Sequence, residues 1–411
     1  MTERVVVVGA GQAGVQAAFS LRDEGFAGEI EIVGDEPGTP YQRPPLSKAF
    51  LLGKVEGEGL LLKSRRLYDD YGVVLGTGRR AVGLDRVQRR VRLADGQSLA
   101  YDQLILATGA RLRTLDAPGA GLAGVMTLRT QVDAERLRDR LPHVRRAVVV
   151  GAGFIGLEFA AVARAMGVEV TVVEIAPRPL ARALSADMAE FLRRRHELAG
   201  VRFVFEAGVQ AICGGDAGVE YVELTQGETL PADLVLIGVG ASPNTELAEA
   251  AGLEVRNGIV VDGQLRTSDP AIYAIGDCAA HPNRYCRTPL VRLESVQNAT
   301  DQGRTVAAAI LRRPVAYEAL PWFWSDQGDL KLQIAGVGDG HDLTVVRGDP
   351  EQGRFSVFCF ADGRLMAVES MNSGPDHVVG RRLLAANASI TAAQAADLNA
   401  PLKAHLSTAA A

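Results

Sequence analysis

The sequence predicts an α/β protein with two doubly wound, largely parallel sheets and a smaller α+β unit at its C-terminal end. Two segments, residues 5–14 and 147–156, predict the parallel sheets. In each, an apolar strand leads directly into a G-x-G-x-x-G turn and an alanine-rich helix. The pattern of residues 5–35 recurs over residues 147–174 and is therefore an internal repeat. After residue 321, frequent turn signals between short apolar stretches predict short strands.

The two glycine-rich turns have the composition of dinucleotide-binding turns. Their glycines are Gly9, Gly11 and Gly14 in the first, and Gly151, Gly153 and Gly156 in the second. Glycine permits a tight turn, close approach of a pyrophosphate to the backbone, and packing of the helix on the strand. The helix N-terminus then offers free N–H groups and a partial positive charge to the phosphates. Two such turns predict two bound nucleotides.

An acidic residue follows each motif at the end of the next strand, Asp35 in the first copy and Glu174 in the second. A carboxylate at this spacing accepts hydrogen bonds from a ribose diol and repels a 2′-phosphate. Glu174 therefore predicts NADH rather than NADPH at the second site.

Further elements follow from local patterns. A proline-rich loop, residues 37–48, is too rigid for regular structure and is a candidate binding loop. The alternation from Val87 to Leu93, followed by a turn at Asp95-Gly96, predicts a small antiparallel layer. Buried strands are expected within residues 101–110, 232–240 and 271–277, and helices over residues 131–141, 295–311 and 376–386.

The order of these elements predicts three domains. The strand at residues 271–277 ends in Gly-Asp, as expected beside a nucleotide at the carboxyl edge of a sheet. We therefore expect the chain to return to its first domain. The predicted domains are residues 1–110 with 241–320, residues 111–240, and residues 321–411.

Composition excludes several classes of protein. The net charge of −5 gives no indication of nucleic-acid binding. We recognise no secretory signal and no apolar run long enough for a transmembrane helix, so we expect a cytoplasmic protein without membrane association. The four cysteines match no metal-binding spacing, so no metal is expected. None precedes Cys213, so residues 1–110 of the first nucleotide domain have no reactive thiol to relay electrons.

The chain resembles the FAD-dependent NADH:ferredoxin reductases of the putidaredoxin reductase, rubredoxin reductase and dioxygenase ferredoxin reductase type. The resemblance covers almost the whole chain. Its most specific motifs are Arg43-Pro44-Pro45-Leu46-Ser47-Lys48 and Trp322-Phe323-Trp324-Ser325-Asp326-Gln327. Residues 9–14, 32–36, 106–109, 151–158 and 274–278 also match. Many related flavoprotein folds share the stretches 9–14, 106–109 and 151–158. The resemblance implies a glutathione-reductase-like architecture.

The resemblance also implies the residues of two cofactor sites. For FAD they are Gly9, Gly11, Ala13, Gly14, Asp35, Arg43, Lys48, Ala81, Thr108, Gly109, Arg129, Gly276, Asp277, Val296 and Trp322. For NADH they are Gly151, Gly153, Ile155, Gly156, Glu158, Glu174 and Gly240. Trp322 is expected either as a wall over the flavin or as packing between units.

Lys48 and Glu158 are the expected catalytic pair, with Lys48 beside the flavin and Glu158 near the nicotinamide. A fixed cation stabilises the negative charge that develops on a flavin when it accepts hydride. A neighbouring carboxylate keeps such a lysine charged in a dry site. The alternative for both residues is a solvated surface position.

The expected electron acceptor is a 2Fe-2S ferredoxin. Ferredoxins of this kind are acidic, so Arg65, Arg66 and Arg292 are candidate docking residues on a monomer or weak homodimer. We expect NADH-dependent, single-electron transfer to a ferredoxin that serves a bacterial haem-thiolate monooxygenase. Three alternatives remain open: a dioxygenase reductase with a Rieske-type ferredoxin, an NADH-sensing flavoprotein without turnover, and an NADH oxidase or peroxidase, which the missing early cysteine disfavours.

Overall fold

The computed structural model describes residues 3–313 and 315–409. The chain divides into two compact units, each built from three segments. Unit 1 contains Met1–Gln42, Gly57–Arg111 and Ser242–Pro321, and unit 2 contains Arg43–Glu56, Leu112–Ala241 and Trp322–Ala411.

The strands, in chain order, are β1 (Arg4–Val8), β2 (Glu29–Gly34), β3 (Val73–Thr77), β4 (Ala81–Asp85), β5 (Arg90–Leu93), β6 (Ser98–Ala100), β7 (Gln103–Leu106), β8 (Ala110–Leu112), β9 (Val125–Met126), β10 (Arg146–Val150), β11 (Glu169–Glu174), β12 (Val201–Phe205), β13 (Val209–Gly215), β14 (Gly218–Leu224), β15 (Thr229–Pro231), β16 (Leu234–Ile237), β17 (Ala241–Pro243), β18 (Val255–Arg256), β19 (Gly258–Val260), β20 (Ile272–Ala274), β21 (Ala279–Ala280), β22 (Trp322–Gln327), β23 (Leu330–Gly336), β24 (Leu343–Asp349), β25 (Arg354–Ala361) and β26 (Arg364–Met371).

The α-helices are α1 (Gln12–Asp23), α2 (Arg65–Asp70), α3 (Gln131–Arg140), α4 (Phe154–Ala165), α5 (Ala186–Leu198), α6 (Glu246–Ala250), α7 (Val296–Ile310), α8 (Gly374–Ala385) and α9 (Ala392–Ala396). Short 3-10 helices cover Pro44–Ser47, Gly57–Leu60, Leu141–His143, Gly276–Cys278 and Leu402–Ala409.

A five-stranded parallel sheet forms the core of unit 1, in the order β20-β7-β1-β2-β3. Its central strand β1 carries four consecutive valines, all buried, as expected for a parallel strand covered on both faces. Helices α1 and α7 pack closely, since a Cβ on Gly303 would lie 2.9 Å from the Gln16 Cβ. The segment predicted as a strand over residues 271–277 is strand β20 followed by the 3-10 helix Gly276–Cys278.

The small antiparallel layer predicted for unit 1 is confirmed as the sheet β4-β5-β6. The expectation that Val87 is one of its apolar strand positions is wrong. Val87 lies in the turn between β4 and β5 and is 95% exposed, because strand β5 begins only at Arg90.

Unit 2 contains a second five-stranded parallel sheet, in the order β12-β11-β10-β16-β9, and the antiparallel sheet β13-β14-β15. Its C-terminal part is the antiparallel sheet β22-β23-β26-β25-β24 with helix α8 packed against it. Strands β25 and β26 are eight residues each, longer than the short strands expected. Two doubly wound sheets and an α+β part confirm the predicted fold class.

Residues 43–56 belong to unit 2, although the predicted first domain includes them. Their contacts explain this placement. Lys48 pairs with Glu158, Arg43 bonds to the Arg129 carbonyl, and the Arg138 guanidinium stacks on the Phe50 ring.

Candidate functional site

The first glycine-rich turn, between β1 and α1, can be built only with glycine at its start. Gly9 has a φ of +120°, and a Cβ there would lie 2.0 Å from the Ala107 carbonyl oxygen. Gly11 is the N-cap of α1 without a side-chain cap, and no heavy atom lies within 4 Å of the place a Cβ would occupy. The N-terminus of α1 is therefore open to an anion such as a pyrophosphate.

The second turn, between β10 and α4, repeats this construction within unit 2. Gly151 has a φ of +104°, and its Cβ would lie 2.5 Å from the Gly238 carbonyl oxygen. Gly153 begins α4 without a side-chain cap. Ile155, in the first turn of α4, is 40% exposed, and Gly240 has a φ of +97° in the segment after β16.

Three other long helices begin with a side-chain cap. The side chains of Thr130, Ser185 and Ser295 cap α3, α5 and α7 by accepting a backbone N–H. Helices α1 and α4 have neither such a cap nor an acidic residue in the first turn. Their backbone donors fit the phosphate groups of a dinucleotide.

The two acidic residues differ in their local bonding. Asp35 follows β2 and is exposed. Glu174, the last residue of β11, accepts hydrogen bonds from the backbone N–H groups of Ala152 at 2.7 Å and Ala176 at 2.9 Å. The carboxylate of Glu174 is thereby fixed beside the second glycine-rich turn.

Several predicted FAD residues come together at the carboxyl ends of the unit 1 strands. A Cβ on Gly276 would lie 3.0 Å from the Cβ of Ala13 in α1. The Gly276 N–H donates to Gln302 of α7 at 2.6 Å, which fixes the turn that contains Asp277. Val296 is the first residue of α7.

Three other predicted FAD residues also lie in unit 1. The Thr108 hydroxyl donates to the Asn244 carbonyl at 2.6 Å, and Gly109 has a φ of +67°. Ala81 begins strand β4 and is half-buried.

The predicted catalytic pair is formed within unit 2. The Lys48 ammonium lies 2.8 Å from Glu158 Oε2 and also donates to the Pro44 carbonyl at 3.2 Å. Glu158 is 2% exposed although it is an acid, and the Lys48 side chain is 19% exposed. The 3-10 helix Pro44–Ser47, begun by its prolines, places Lys48 against α4.

Two serines complete the surroundings of Glu158. Ser47 Oγ donates to Glu158 Oε2 at 2.5 Å, and Ser325 Oγ donates to Oε1 at 2.7 Å. A buried carboxylate requires such donors because burial otherwise favours its neutral form. Lys48, Ser47 and Ser325 thus all donate to the Glu158 carboxylate, so that the Lys48 ammonium is held in place beside a buried acid.

The structure also brings together the two predicted arginines of unit 2. Arg43 Nη1 donates to the Arg129 carbonyl at 2.6 Å. The backbone N–H of Arg129 donates to Asp133, whose carboxylate also completes the capping box of α3. Arg129 is therefore held at the start of a helix.

Trp322 is half-buried at the start of β22. Its ring lies 5.6 Å from that of Trp324 and 6.0 Å from that of His377, and the Arg381 guanidinium stacks over it at 4.7 Å. Neither tryptophan is fully buried.

The sequence does not reveal the two serines that bond Glu158, or Gln327, which is hydrogen-bonded to Ser325, and His196, which is hydrogen-bonded in turn to Gln327. Ser47, Ser325 and Gln327 lie within motifs of the family resemblance, but the sequence alone assigns them no role, and no sequence pattern marks His196. Strand periodicity could have found Ser325, because it shares a face of β22 with Phe323. Phe323 packs on Phe154 with ring centroids 4.6 Å apart, one helical turn before Glu158.

The candidate docking arginines differ in availability. Arg65 and Arg66 lie on α2, and Arg66 is 87% exposed with a partner at Asp70. The Arg292 side chain is only 9% exposed, and its guanidinium binds Glu294 and the Asp277 carbonyl. These contacts give Arg292 a role in holding the Asp277 turn and leave little of its charge for a partner protein.

Cys213, Cys278 and Cys359 are free thiols. Cys278, next to Asp277 in the chain, is buried, and burial raises the pKa of its thiol. A protonated thiol is a poor nucleophile. Within residues 3–313 and 315–409, no group of three or more His, Cys, Asp or Glu side chains is arranged to hold a metal. No helix among those same residues has the length and apolar character needed to span a bilayer.

Comparison with known proteins gives the family. The profile of the pyridine nucleotide-disulphide oxidoreductases matches residues 3–303, and a profile described as reductase C-terminal matches residues 322–406. Rhodocoxin reductase of Rhodococcus erythropolis is 49% identical over 399 residues, covering 97% of this chain and 93% of that protein.

Two solved structures are similar over their whole length. The ferredoxin reductase for the CYP199A2 system from Rhodopseudomonas palustris has a TM-score of 0.96 at 47% identity, covering 98% of this chain and 99% of that one. Putidaredoxin reductase in a covalent complex with putidaredoxin has a TM-score of 0.95 at 39% identity, covering 100% and 99%.

These similarities confirm the family resemblance and the glutathione-reductase-like architecture expected from the sequence. The profile match explains why the chain has two dinucleotide-type turns, since members of this family bind FAD and use NAD(P)H. The chain belongs to the pyridine nucleotide-disulphide oxidoreductase family, among the reductases related to putidaredoxin and rubredoxin reductase, and is an FAD-dependent oxidoreductase.

Proposed function

We propose that this protein is an NADH:ferredoxin reductase that passes electrons one at a time to a 2Fe-2S ferredoxin. The first glycine-rich turn, with Asp35, Ala81, Thr108, Gly109, Gly276, Asp277 and Val296, serves FAD, and the second, with Ile155, Glu174 and Gly240, serves NADH. We retain the three predicted domains as part of this proposal, with residues 43–56 contributing to the catalytic pair. When bound, FAD accepts two electrons as hydride and can release them singly.

The observation that carries this proposal is the ion pair of Lys48 with the buried Glu158, together with the two serine donors of that carboxylate. Glu158 fixes the position of the Lys48 ammonium, so that it can stabilise negative charge developing on a bound electron acceptor. Fixed donors are more effective than water at this task because they need not reorient during the reaction. We place Arg43, Arg129 and Trp322 at the same cofactor.

Preference for NADH is assigned to Glu174. Its carboxylate is held by Ala152 and Ala176, so it cannot easily turn away from a 2′-phosphate. A fixed negative charge at that position accepts a ribose diol and repels NADPH.

The electron acceptor proposed here is supported by the similarity to putidaredoxin reductase solved with putidaredoxin. Similarity to the reductase of the CYP199A2 system favours a haem-thiolate monooxygenase as the final consumer. We propose that the reaction takes place in the cytoplasm, where NADH is produced and free cysteines stay reduced. We propose a monomer or weak homodimer as the working form.

Arg65 and Arg66 are proposed to attract the acidic ferredoxin. Replacing both by glutamate is expected to lower the rate constant of association at low ionic strength and to remove most of its salt dependence. Arg90→Glu, an exposed change on strand β5 of the same unit, is the matched control.

The function is tested by supplying NADH or NADPH to the purified holoprotein together with a putidaredoxin-type or a Rieske-type ferredoxin. We expect NADH to support rapid reduction of the putidaredoxin-type ferredoxin and NADPH to be much poorer. Faster reduction of the Rieske-type ferredoxin would transfer the assignment to a dioxygenase system. A stable NADH complex without turnover would indicate a sensor, and rapid consumption of oxygen or hydrogen peroxide would indicate an oxidase or peroxidase.

A further inference from the structure

A chain of buried hydrogen bonds leads away from Glu158 inside unit 2. Ser325 Oγ lies 2.7 Å from Glu158 Oε1, Gln327 Nε2 lies 3.2 Å from Ser325 Oγ, and His196 Nε2 lies 2.7 Å from Gln327 Oε1. All four side chains are at most 3% exposed. The residues come from α4, β22 and α5, so the chain connects three elements to one carboxylate.

The charge on Glu158 fixes the direction of every bond in this chain. A carboxylate only accepts, so the single hydroxyl hydrogen of Ser325 must point to Glu158. Ser325 then accepts from the Gln327 amide nitrogen, which leaves the amide oxygen facing His196. An oxygen accepts, so His196 must donate from Nε2.

His196 can serve as the fixed end of the chain because its ring stays neutral. Burial lowers the pKa of His196, so at neutral pH the ring carries one hydrogen. That hydrogen is on Nε2 only because Gln327 presents an oxygen to it. The tautomer of His196 is thus determined by a charge three hydrogen bonds away.

We propose that Ser325, Gln327 and His196 form a one-way donor chain that positions the Glu158 carboxylate and, through it, the Lys48 ammonium. The chain engages Oε1, while Ser47 and Lys48 engage Oε2, so neither oxygen can rotate without breaking a buried bond. All three are positioning residues, and their effect on the reaction rests on the proposed function of the pair.

Glu158→Gln is expected to reverse the donor and acceptor roles along this series of hydrogen bonds. The new amide oxygen stays with Lys48 and Ser47, because both donate, and its NH₂ faces Ser325. Ser325 then turns its hydrogen toward Gln327, whose amide flips and donates to His196 Nε2. His196 must move its hydrogen to Nδ1.

Ring ¹⁵N NMR of the holoprotein reports this change without any turnover. The chain has six histidines, and the His196 signals are assigned by their loss in His196→Phe. We expect the Nε2–H tautomer in the wild type and the Nδ1–H tautomer in Glu158→Gln. In the Ser325→Ala background, which interrupts the chain, Glu158→Gln should leave the tautomer unchanged. An Nε2–H signal in both wild type and Glu158→Gln would refute the coupling.

A kinetic readout separates positioning from stability. Removing a hydrogen bond to a charged group changes rates or equilibria by about tenfold, so Ser325→Ala should slow flavin reduction at saturating NADH by about tenfold, with little change in the half-saturating NADH concentration. Ser325→Thr, which keeps a hydroxyl at this position, should restore most of the rate. Ser356→Ala is the control, because Ser356 is equally buried but bonds Ser370 and Asp376.

An unchanged rate of flavin reduction in Ser325→Ala would overturn the positioning role. Failure of the proposed function has a different signature. If no ferredoxin is reduced while His196 still changes tautomer in Glu158→Gln, the donor chain stands and the proposed acceptor is wrong.

Discussion

The two glycine-rich turns share a sequence pattern but differ in what their helices carry. In the first copy, the second residue after the motif is Gln16, which donates to Ser20 and lies against Gly303 of α7. In the second copy, the corresponding residue is Glu158, the buried partner of Lys48. The same turn can therefore precede a helix that only packs or one that carries a charged pair. We infer that the first copy retains a cofactor and that the second takes part in chemistry.

The acidic residues extend this contrast. Asp35 is exposed, whereas the carboxylate of Glu174 is bonded to its own glycine-rich turn. A fixed carboxylate suits discrimination between two soluble nucleotides. An exposed one suits a permanently bound cofactor, which needs no discrimination.

Alanine at the first glycine of each turn should give the largest difference between the copies. Gly9→Ala places a Cβ 2.0 Å from the Ala107 carbonyl oxygen and should yield a protein without flavin. Gly151→Ala places one 2.5 Å from the Gly238 carbonyl oxygen and should yield a yellow protein that NADH reduces at least about 100-fold more slowly. Bound flavin is measured by absorbance and reduction by anaerobic stopped-flow. Gly121→Ala, with no heavy atom within 4 Å, is the control and should match the wild type.

Breaking the charged pair of the second copy should slow the reaction without releasing flavin. Lys48→Met removes a fixed cation, which typically costs about 100-fold in rate, and leaves a buried carboxylate unpaired at a cost of about 3 kcal/mol in the free energy of unfolding. The double variant with Glu158→Gln should recover much of the stability but none of the rate. Lys54→Met, at an exposed position of the same segment, should change neither. A wild-type rate in Lys48→Met would contradict the assigned role.

Replacing Glu174 and Asp35 one at a time should separate discrimination between NADH and NADPH from retention of FAD. Glu174→Ser should raise the NADPH:NADH ratio of kcat/KM by about tenfold, because the charge that repels the 2′-phosphate is gone. Asp35→Asn should leave this ratio unchanged and weaken only the retention of FAD. Steady-state kinetics with both nucleotides and the flavin content after dialysis measure the two effects. Equal ratios in wild type and Glu174→Ser would remove Glu174 from the account.

Acid should destabilise both units through buried histidines. Burial lowers the pKa of His281 in unit 1 and of His377 in unit 2 to about 4, from an ordinary value of 6.5. Between these values the unfolded chain binds more protons, so each contribution is complete above pH 6.5 and is lost as the pH falls toward 4. Each contribution is worth about 3 kcal/mol of unfolding free energy. His281→Gln and His377→Gln should each flatten the dependence of the unfolding free energy on pH in this window. A slope identical to that of the wild type in both variants would contradict this explanation.

Local patterns predicted most of the fold because they depend on neighbours in the chain. The valine run of β1 and the glycines at positions 9 and 151 identify a strand and a turn by themselves. Helix α3 ends within one residue of its prediction for the same reason. Val87 was misjudged because alternation alone does not show where a strand begins.

The surroundings of Glu158 were predicted only in part because they depend on long-range contacts. The family motifs contain Lys48 and Ser325, but only the fold places Ser325 on Glu158, and no local pattern marks His196 as connected to either. A buried polar network is satisfied by partners far apart in sequence. Placement of residues 43–56 in unit 2 has the same origin, since the contacts that hold this loop lie on α3 and α4.

The division of roles between the two turns is tested most directly by mixing NADH anaerobically with wild-type protein and with Gly151→Ala, each carrying a full complement of flavin. We expect rapid bleaching of the visible flavin band in the wild type and at least about 100-fold slower bleaching in the variant. Bleaching at the same rate in both proteins would show that the second turn does not bind the reductant.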